Sequence, residues 1–322
     1  MKLFNEAGIK KTQAIILSSD DIERAEEYAK QEKCDLIELT TDNPLIDFEG
    51  RGYFFRPRKI TYKMLVPESE EVYLSSLGRN KRKGIIRAIK ACKDSGIEIR
   101  TEEPVSKETF LEWERIYDVN ILKKRIGLKR IGPDRFSILQ PRTAGVFAYK
   151  QGKIIGGILL THKRFLMNGE MLKKLSISLS STDRQFFMYG VNEALNFEVI
   201  RYCQLNGIKY LERGMDTNFY GHYLNPGLYT FKKSLGYRIT TKPKYGFCWT
   251  KILNFEKFED HIFFISIGDN GLEGNLFFKE SLPNINEFTT PFLKKINLFS
   301  VSDNKIIPFE LQHLSPLTVK SL

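Results

Sequence analysis

The chain predicts a mixed α/β (α+β) fold, and three observations carry that expectation. Short apolar runs such as Ile154 to Leu160 sit among amphipathic helical stretches, in the order hairpin, strand, helix, strand, loop, strand, preceded by two helices. That order differs from the regular alternation of a dinucleotide-binding sheet, and neither GxGxxG nor the GxxxxGK(S/T) phosphate loop occurs. With 322 residues, 42% hydrophobic and 28% charged, the chain can bury a sizeable core in two or three units and is not globally disordered.

The elements follow in order. Gln13 to Leu17 reads as a strand, Ser19-Asp20 as the start of a helix reaching about Gln31, and Asp35 to Leu39 as a second strand. Residues 40–58 read as loop, with Asn43-Pro44, Gly50, Gly52 and Pro57, and Thr61 to Val66 as a strand. Pro67 and Ser69 open a helical region with Glu68, Glu70 and Glu71 where the helix dipole favours acids, and Gly78 interrupts it. From Arg79 an apolar stripe of Ile85, Ala88, Ile89 and Cys92 runs beside Arg79, Lys83, Arg87 and Lys90, and Ile97 to Arg100 returns as a strand. Ser106 to about Lys124 is a further helix with Phe110, Trp113, Ile116 and Tyr117 at helical spacing. Gly145 to Tyr149 and Lys153 to Thr161 form a hairpin turned by Gln151-Gly152, and Glu170 to Leu179 is the next strand. After Ser180 to Asp183 comes a long helix with the stripe Phe187, Val191, Ala194, Leu195, Val199, Tyr202 and Cys203, closed at Asn206-Gly207. Strands at 208–211, 237–240 and 247–252 complete this region around a polar loop, and the remainder from Leu253 is a Phe-, Asn- and Lys-rich extension.

Composition bounds the function. The longest uncharged apolar runs are far too short to span a bilayer, and the N-terminus lacks a signal-like apolar stretch, so a cytoplasmic protein without integral membrane association is expected. Cys34, Cys92, Cys203 and Cys248 are scattered without CxxC spacing, which favours free buried thiols over a disulfide framework. The four histidines are equally dispersed, no HExxH occurs, and no metal site is expected. A net charge of +11 fits a polyanionic partner such as nucleic acid, a phosphorylated cofactor or an acidic membrane surface, and fits equally a lysine-rich proteome.

Three constellations bear chemistry. The strand-to-helix junction Ser180 to Gln185 offers free backbone N–H groups to an anion, although Asp183 there also suits simple capping. The helix with Arg79, Lys81, Arg82, Lys83, Arg87 and Lys90 sets six cations in twelve positions with no acid among them, which suits phosphate better than a charge-paired solvent face. The loop after 211 supplies Asp216, Tyr220, His222, Tyr223 and Tyr229, and its exit carries Phe231-Lys232, where a lysine could hold charge developing on a carbonyl oxygen. A lone loop histidine is weak evidence for a base, so His222 is set aside.

These pieces resemble the FemA/FemB/FemX peptidyltransferases and the related acyltransferase domains of the GNAT superfamily. Residues 82–90 (RKGIIRAIK) match the family helix R-x-x-I-R-(K/R)-A-x-K, except that Ile86 stands where the pattern has Arg. Ile154-Ile155-Gly156-Gly157 matches its glycine-bearing strand, Asn206-Gly207 its helix end, and Phe231-Lys232-Lys233-Ser234-Leu235-Gly236 its F-K-x-x-(F/L)-G. The resemblance spans about residues 13 to 250 and implies a GNAT-like, FemAB-type fold. Under it, residues 1–66 form a partial N-terminal GNAT-like half, 67–252 the acyltransferase domain, and 253–322 a small C-terminal extension. It implies transfer of an aminoacyl or acyl group from an activated donor to an amine on a small molecule, glycan or peptide, in cell-wall, glycan or peptide biosynthesis. Ser181 to Phe186 replaces the R/Q-x-x-G-x-G/A loop of acyl-CoA-dependent members, which leaves both aminoacyl-tRNA and acyl-CoA open as the donor co-substrate, with no bound cofactor. The implied catalytic residues are Lys232, for the oxyanion, and Asp216, for the amine. Arg82, Arg87, Lys90, Asp183, Arg184, Gln185, Tyr220, Tyr229 and Phe231 are the implied binding residues. The alternative is a non-catalytic module that binds tRNA or another polyanion.

Overall fold

The structure is a computed structural model that describes residues 1–6, 9–42, 46–48, 50–57, 60–123, 136, 143–167, 169–214, 231–241, 246–256, 261–268, 271–288, 295–302 and 305–308. In chain order the elements are β1 (Lys2–Glu6), β2 (Ile9–Ile15), α1 (Ser19–Gln31), β3 (Leu36–Thr40), β4 (Phe54–Pro57), β5 (Ile60–Leu65), α2 (Glu70–Ser76) and α3 (Arg79–Asp94). There follow β6 (Ile97–Glu102), α4 (Lys107–Leu122), β7 (Thr143–Lys150), β8 (Lys153–Met167), β9 (Glu170–Thr182), a 3-10 turn (Arg184–Tyr189), α5 (Val191–Leu205) and β10 (Tyr210–Arg213). The last strands are β11 (Arg238–Thr241), β12 (Phe247–Ile252), β13 (His261–Gly268), β14 (Gly271–Phe278), β15 (Lys295–Ser302) and β16 (Lys305–Pro308). The expected mixed α/β class is observed.

The chain forms two compact units that interleave in sequence: residues 1–60, 218–230 and 241–322 in one, 61–217 and 231–240 in the other. This differs from the three consecutive blocks 1–66, 67–252 and 253–322, and strand pairing gives the reason. β5 leaves the N-terminal segment to pair antiparallel with β10, and β12 returns to pair with β3 and β4.

In the first unit β1, β2, β3, β12 and β4 form one sheet in that order, and α1 buries Ile22, Ala25 and Ala29 in a core with Ile37, Leu39, Phe48 and Tyr53. The Phe48 ring stacks on Trp249 at 4.8 Å. Within this sheet the guanidinium of Arg56 is fully buried, donating to Thr250 Oγ1 at 2.6 Å and pairing with the Glu38 carboxylate. The segment from 261 forms a sheet of β13, β14, β15 and β16, and β13 and β14 contribute Phe264 and Phe277 to an aromatic contact with Phe54 of β4.

The second unit is a seven-stranded sheet in the order β11, β5, β10, β9, β8, β7, β6. From β6 to β9 neighbours run antiparallel, whereas β10 lies parallel to β9, with α5 as the crossover. Side chains alternate along β8, so Gly157 and Leu159 face α4 while Leu160 and His162 face α5. The α4 face is built on Trp113, Phe110, Tyr117, Phe147 and Leu159, and Trp113 Nε1 donates to the Gly157 carbonyl at 3.1 Å. α5 buries Val191, Leu195, Val199 and Cys203 on the opposite face, with α3 packed beside it. Phe187, expected in the buried stripe, is instead exposed, because residues 184–189 form a separate 3-10 turn before α5 begins.

Candidate active site

In an open sheet, ligands are taken at the carboxyl ends of parallel strands, where helices start and backbone donors are free. In the seven-stranded sheet β9 and β10 form a parallel pair, in register from Tyr210 opposite Lys174 to Arg213 opposite Ile177. Two groups of residues predicted from sequence fall at this edge.

The first is the end of β9. Asn120 of α4 donates to Ser181 Oγ at 2.9 Å and to the Thr182 carbonyl at 2.8 Å, and Thr182 Oγ1 bonds Asn192 of α5 at 2.8 Å, so the strand end is tied to both helices. Asp183 then caps the 3-10 turn, accepting from Gln185 N at 3.2 Å and from Gln185 Nε2 at 3.0 Å. Gly190 adopts φ 68° at the start of α5, and a Cβ there would lie 2.5 Å from that of Ala88, so the turn sits directly on α3. A pocket of about 220 Å³ opens here, lined by Arg115, Ile116, Val119, Asn120, Lys123, Asp183 and Arg184. Three cations and one carboxylate, itself engaged in capping, give it a net positive lining. Asp183 and Arg184 thus share one pocket, whereas Gln185 is held by Asp183.

The second group surrounds Lys232. Residues 231–234 form a helical turn, closed by Gly236 at φ 88° and by Tyr237 N donating to the Lys232 carbonyl at 3.2 Å. Lys232 is only 3% exposed. Its Nζ donates to the carbonyl of Gly214, just beyond β10, at 3.1 Å and lies 4.0 Å from the centre of the Tyr62 ring. Arg213, opposite Tyr62 in the β10–β5 ladder, is buried and bonds Asn196 of α5, with its guanidinium 5.6 Å from the Phe231 ring and 5.3 Å from Tyr237. Burial pushes the Tyr237 phenol up to about 12, with Arg213 opposing the shift. Lys81 of α3 lies 5.0 Å from the Phe231 ring and pairs with Glu193 at 3.0 Å. Desolvation lowers the neighbouring Lys233 below the usual lysine range.

The remaining sequence candidates divide. Asp216, Tyr220 and Tyr229, with His222 and Tyr223, lie outside the described residues. Arg82 is half-buried, while Arg87 and Lys90 are exposed on α3; none of the three lines the pocket. Arg115, Asn120, Lys123, Arg213 and Tyr62 are not among the residues expected from sequence, and Lys81 is expected only as part of the basic helix. The four-residue steps Arg115, Val119 and Lys123 set these residues on one face of α4, which was the available signal. Among the described residues no cluster of three or more His, Cys, Asp or Glu is placed to hold a metal ion.

No protein-family model and no curated protein sequence matches the chain. Among solved structures it is similar to FemX, with TM-score 0.44 and 14% identity over 76% of this chain and 81% of that one. It is also similar to L-PGS from Bacillus licheniformis, with TM-score 0.41 and 14% identity over 75% of this chain and 77% of the other. An aminoglycoside acetyltransferase from an uncultured soil metagenomic sample, solved with sisomicin, gives TM-score 0.32 and 14% identity over 38% of this chain and 80% of that one.

Proposed function

We propose that the chain is an N-acyltransferase. It moves an aminoacyl or acyl group from an activated donor, an aminoacyl-tRNA ester or an acyl thioester, to an amine on a small molecule, glycan or peptide. The observation that carries this reading is the buried ammonium of Lys232 just beyond the carboxyl end of β10, held between the Gly214 carbonyl and the Tyr62 ring. Names borne by similar folds describe those other proteins, and the residues here have to supply the chemistry on their own account.

The amine nitrogen attacks the donor carbonyl carbon, a C–N bond forms, and negative charge collects on the carbonyl oxygen. Lys232, which bonds the Gly214 carbonyl and lies over the Tyr62 ring, would stabilise that oxygen. The tetrahedral adduct collapses with loss of the ester alkoxide or the thiolate, and the proton leaving the amine passes to the leaving group, with Asp216 as the residue that orients or deprotonates the amine. Arg115, Lys123 and Arg184 would hold donor phosphate. Holding the two reactants in line would supply much of the rate.

The test is mass spectrometry of products formed from charged tRNA or acyl-CoA with candidate amines, using wild type, Lys232→Ala and Lys232→Met. Amide formation should fall about 10²–10³-fold in both variants while their circular dichroism and melting remain cooperative. Undiminished turnover in Lys232→Met would remove the lysine from the chemistry.

A further inference from the structure

α3 carries seven cations and one acid, Asp94, yet its two faces differ in kind. Inward it buries Ile85, Ala88 and Cys92, and its Lys81 is matched by Glu193. The side chains of Arg79, Arg82, Lys83, Arg87, Lys90 and Lys93 form no ion pair with any described residue. A helix face that served only as a solvated surface would gain from acids spaced three or four residues away, and none is present between Gly78 and Lys93.

Two isoleucines stand in this cationic field. Ile86 is 52% exposed and Ile89 37% exposed. With 3.6 residues per turn, Arg82, Lys83, Ile89 and Lys90 are the helix-surface neighbours of Ile86, so an apolar patch is ringed by long basic side chains.

Cations alone would suit any polyanion, and the apolar component separates the candidates. Single-stranded nucleic acid is gripped by basic grooves with planar aromatic platforms for its bases, and the outward face of α3 offers branched aliphatic groups instead. Apolar side chains flanked by Lys and Arg fit the boundary between headgroups and acyl chains, where the stems bury and the charges reach phosphate. We propose that the outward face of α3 docks the protein peripherally on an anionic lipid bilayer. Its lysines and arginines meet the headgroup phosphates, and Ile86 and Ile89 enter the interface. No helix among the described residues is long and apolar enough to cross a membrane, so this attachment is reversible and salt-sensitive. It does not depend on acyl transfer.

The experiment is co-sedimentation of the full chain with phosphatidylcholine vesicles, with and without phosphatidylglycerol, at low and high salt. Wild type, Lys232→Ala, Lys83→Gln/Lys90→Gln and Ile86→Ser/Ile89→Ser are compared, and poly-U serves as the nucleic-acid probe. Wild type and Lys232→Ala should bind only the anionic vesicles. Removing cations should weaken binding about fivefold per residue, and the serine pair should weaken it several-fold at unchanged charge. An Ile86→Trp chain should show a blue shift of its added fluorescence on anionic vesicles, which decides the matter even where a double variant loses its fold. Equal sedimentation with both vesicle types would overturn the proposal. So would an Ile86→Trp spectrum that does not move, or binding to poly-U that persists in the serine pair while vesicle binding is absent.

Discussion

Replacing Gly157 by alanine tests the packing that sets the β8 end of the site. Gly157 lies directly opposite Phe147 in the β7–β8 ladder, and its carbonyl accepts the Trp113 indole N–H. A Cβ at 157 would fall 2.8 Å from Trp113 Cδ1 and closer still to Phe147 Cδ1, far inside ordinary carbon contact. Both rings are fully buried in the α4 core, so neither can swing into solvent to make room. The methyl must therefore displace an aromatic ring or spread two strands, an overpacking cost of about 1–3 kcal/mol, with this site at the upper end. For a unit of this size that corresponds to about 2–4 °C in Tm per kcal/mol. Urea unfolding followed by fluorescence should show a lowered midpoint with an unchanged slope. Adding Phe147→Leu should recover part of the loss, a coupling of about 0.5–3 kcal/mol between touching residues. A Gly157→Ala chain as stable as wild type would refute the close approach of the two rings to this strand.

Other perturbations have equally definite outcomes. Arg56→Met should destabilise the first unit by about 3–5 kcal/mol, because the Glu38 carboxylate is left buried without its guanidinium; adding Glu38→Leu should restore much of the loss in the same melt. Burial pushes the Cys92 thiol up to about 11 and the Cys203 thiol up to about 12, from 9.0. The unfolded chain loses these protons first as pH rises, so their stabilisation is intact below 9.0 and is lost through the folded values. A urea midpoint that stays flat from about pH 9 to 12 would contradict it. Asn120→Ala should lower stability by about 1–2 kcal/mol by leaving the Thr182 carbonyl short of a donor, and on the acyl-transfer reading it should raise KM for the donor more than it lowers kcat.

What could be read from the sequence was whatever short-range chemistry decides. The Gln151-Gly152 turn takes positive φ at both residues, 51° and 76°, as a two-residue hairpin demands. Gly78 separates α2 from α3, and Gly207 follows α5 at φ 62°. Periodicity located α3 and α4 to within a residue or two. It could not announce that β5 would pair with β10, or that β12 would cross back to β3 and β4, because pairing partners far apart in sequence leave no local mark. β4 was hidden for the same reason: a four-residue strand within a stretch rich in Gly and Pro is defined by its neighbour alone. At the site, Phe231-Lys232 was legible as a motif, while the burial of Lys232 on Tyr62 required knowing where β5 goes.

The basic helix shows how burial resolves what charge spacing leaves mixed. In the sequence Lys81 is one of six cations in a run, with nothing to distinguish it from Lys83 or Lys90. In the fold it turns inward, where Glu193 and the Phe231 ring compensate it, whereas Lys83 and Lys90 are exposed and form no ion pair with any described residue. A partly buried cation held by a carboxylate and an aromatic face is sensitive to deletion of either partner, whereas solvated cations act additively and yield to salt. Lys81→Ala should therefore lower stability and disturb the Phe231-Lys232 turn, and high salt should leave that effect in place. Lys83→Ala and Lys90→Ala should leave the fold intact and act only through a polyanionic surface. The contributions of the two faces of this helix are thus separable by salt alone.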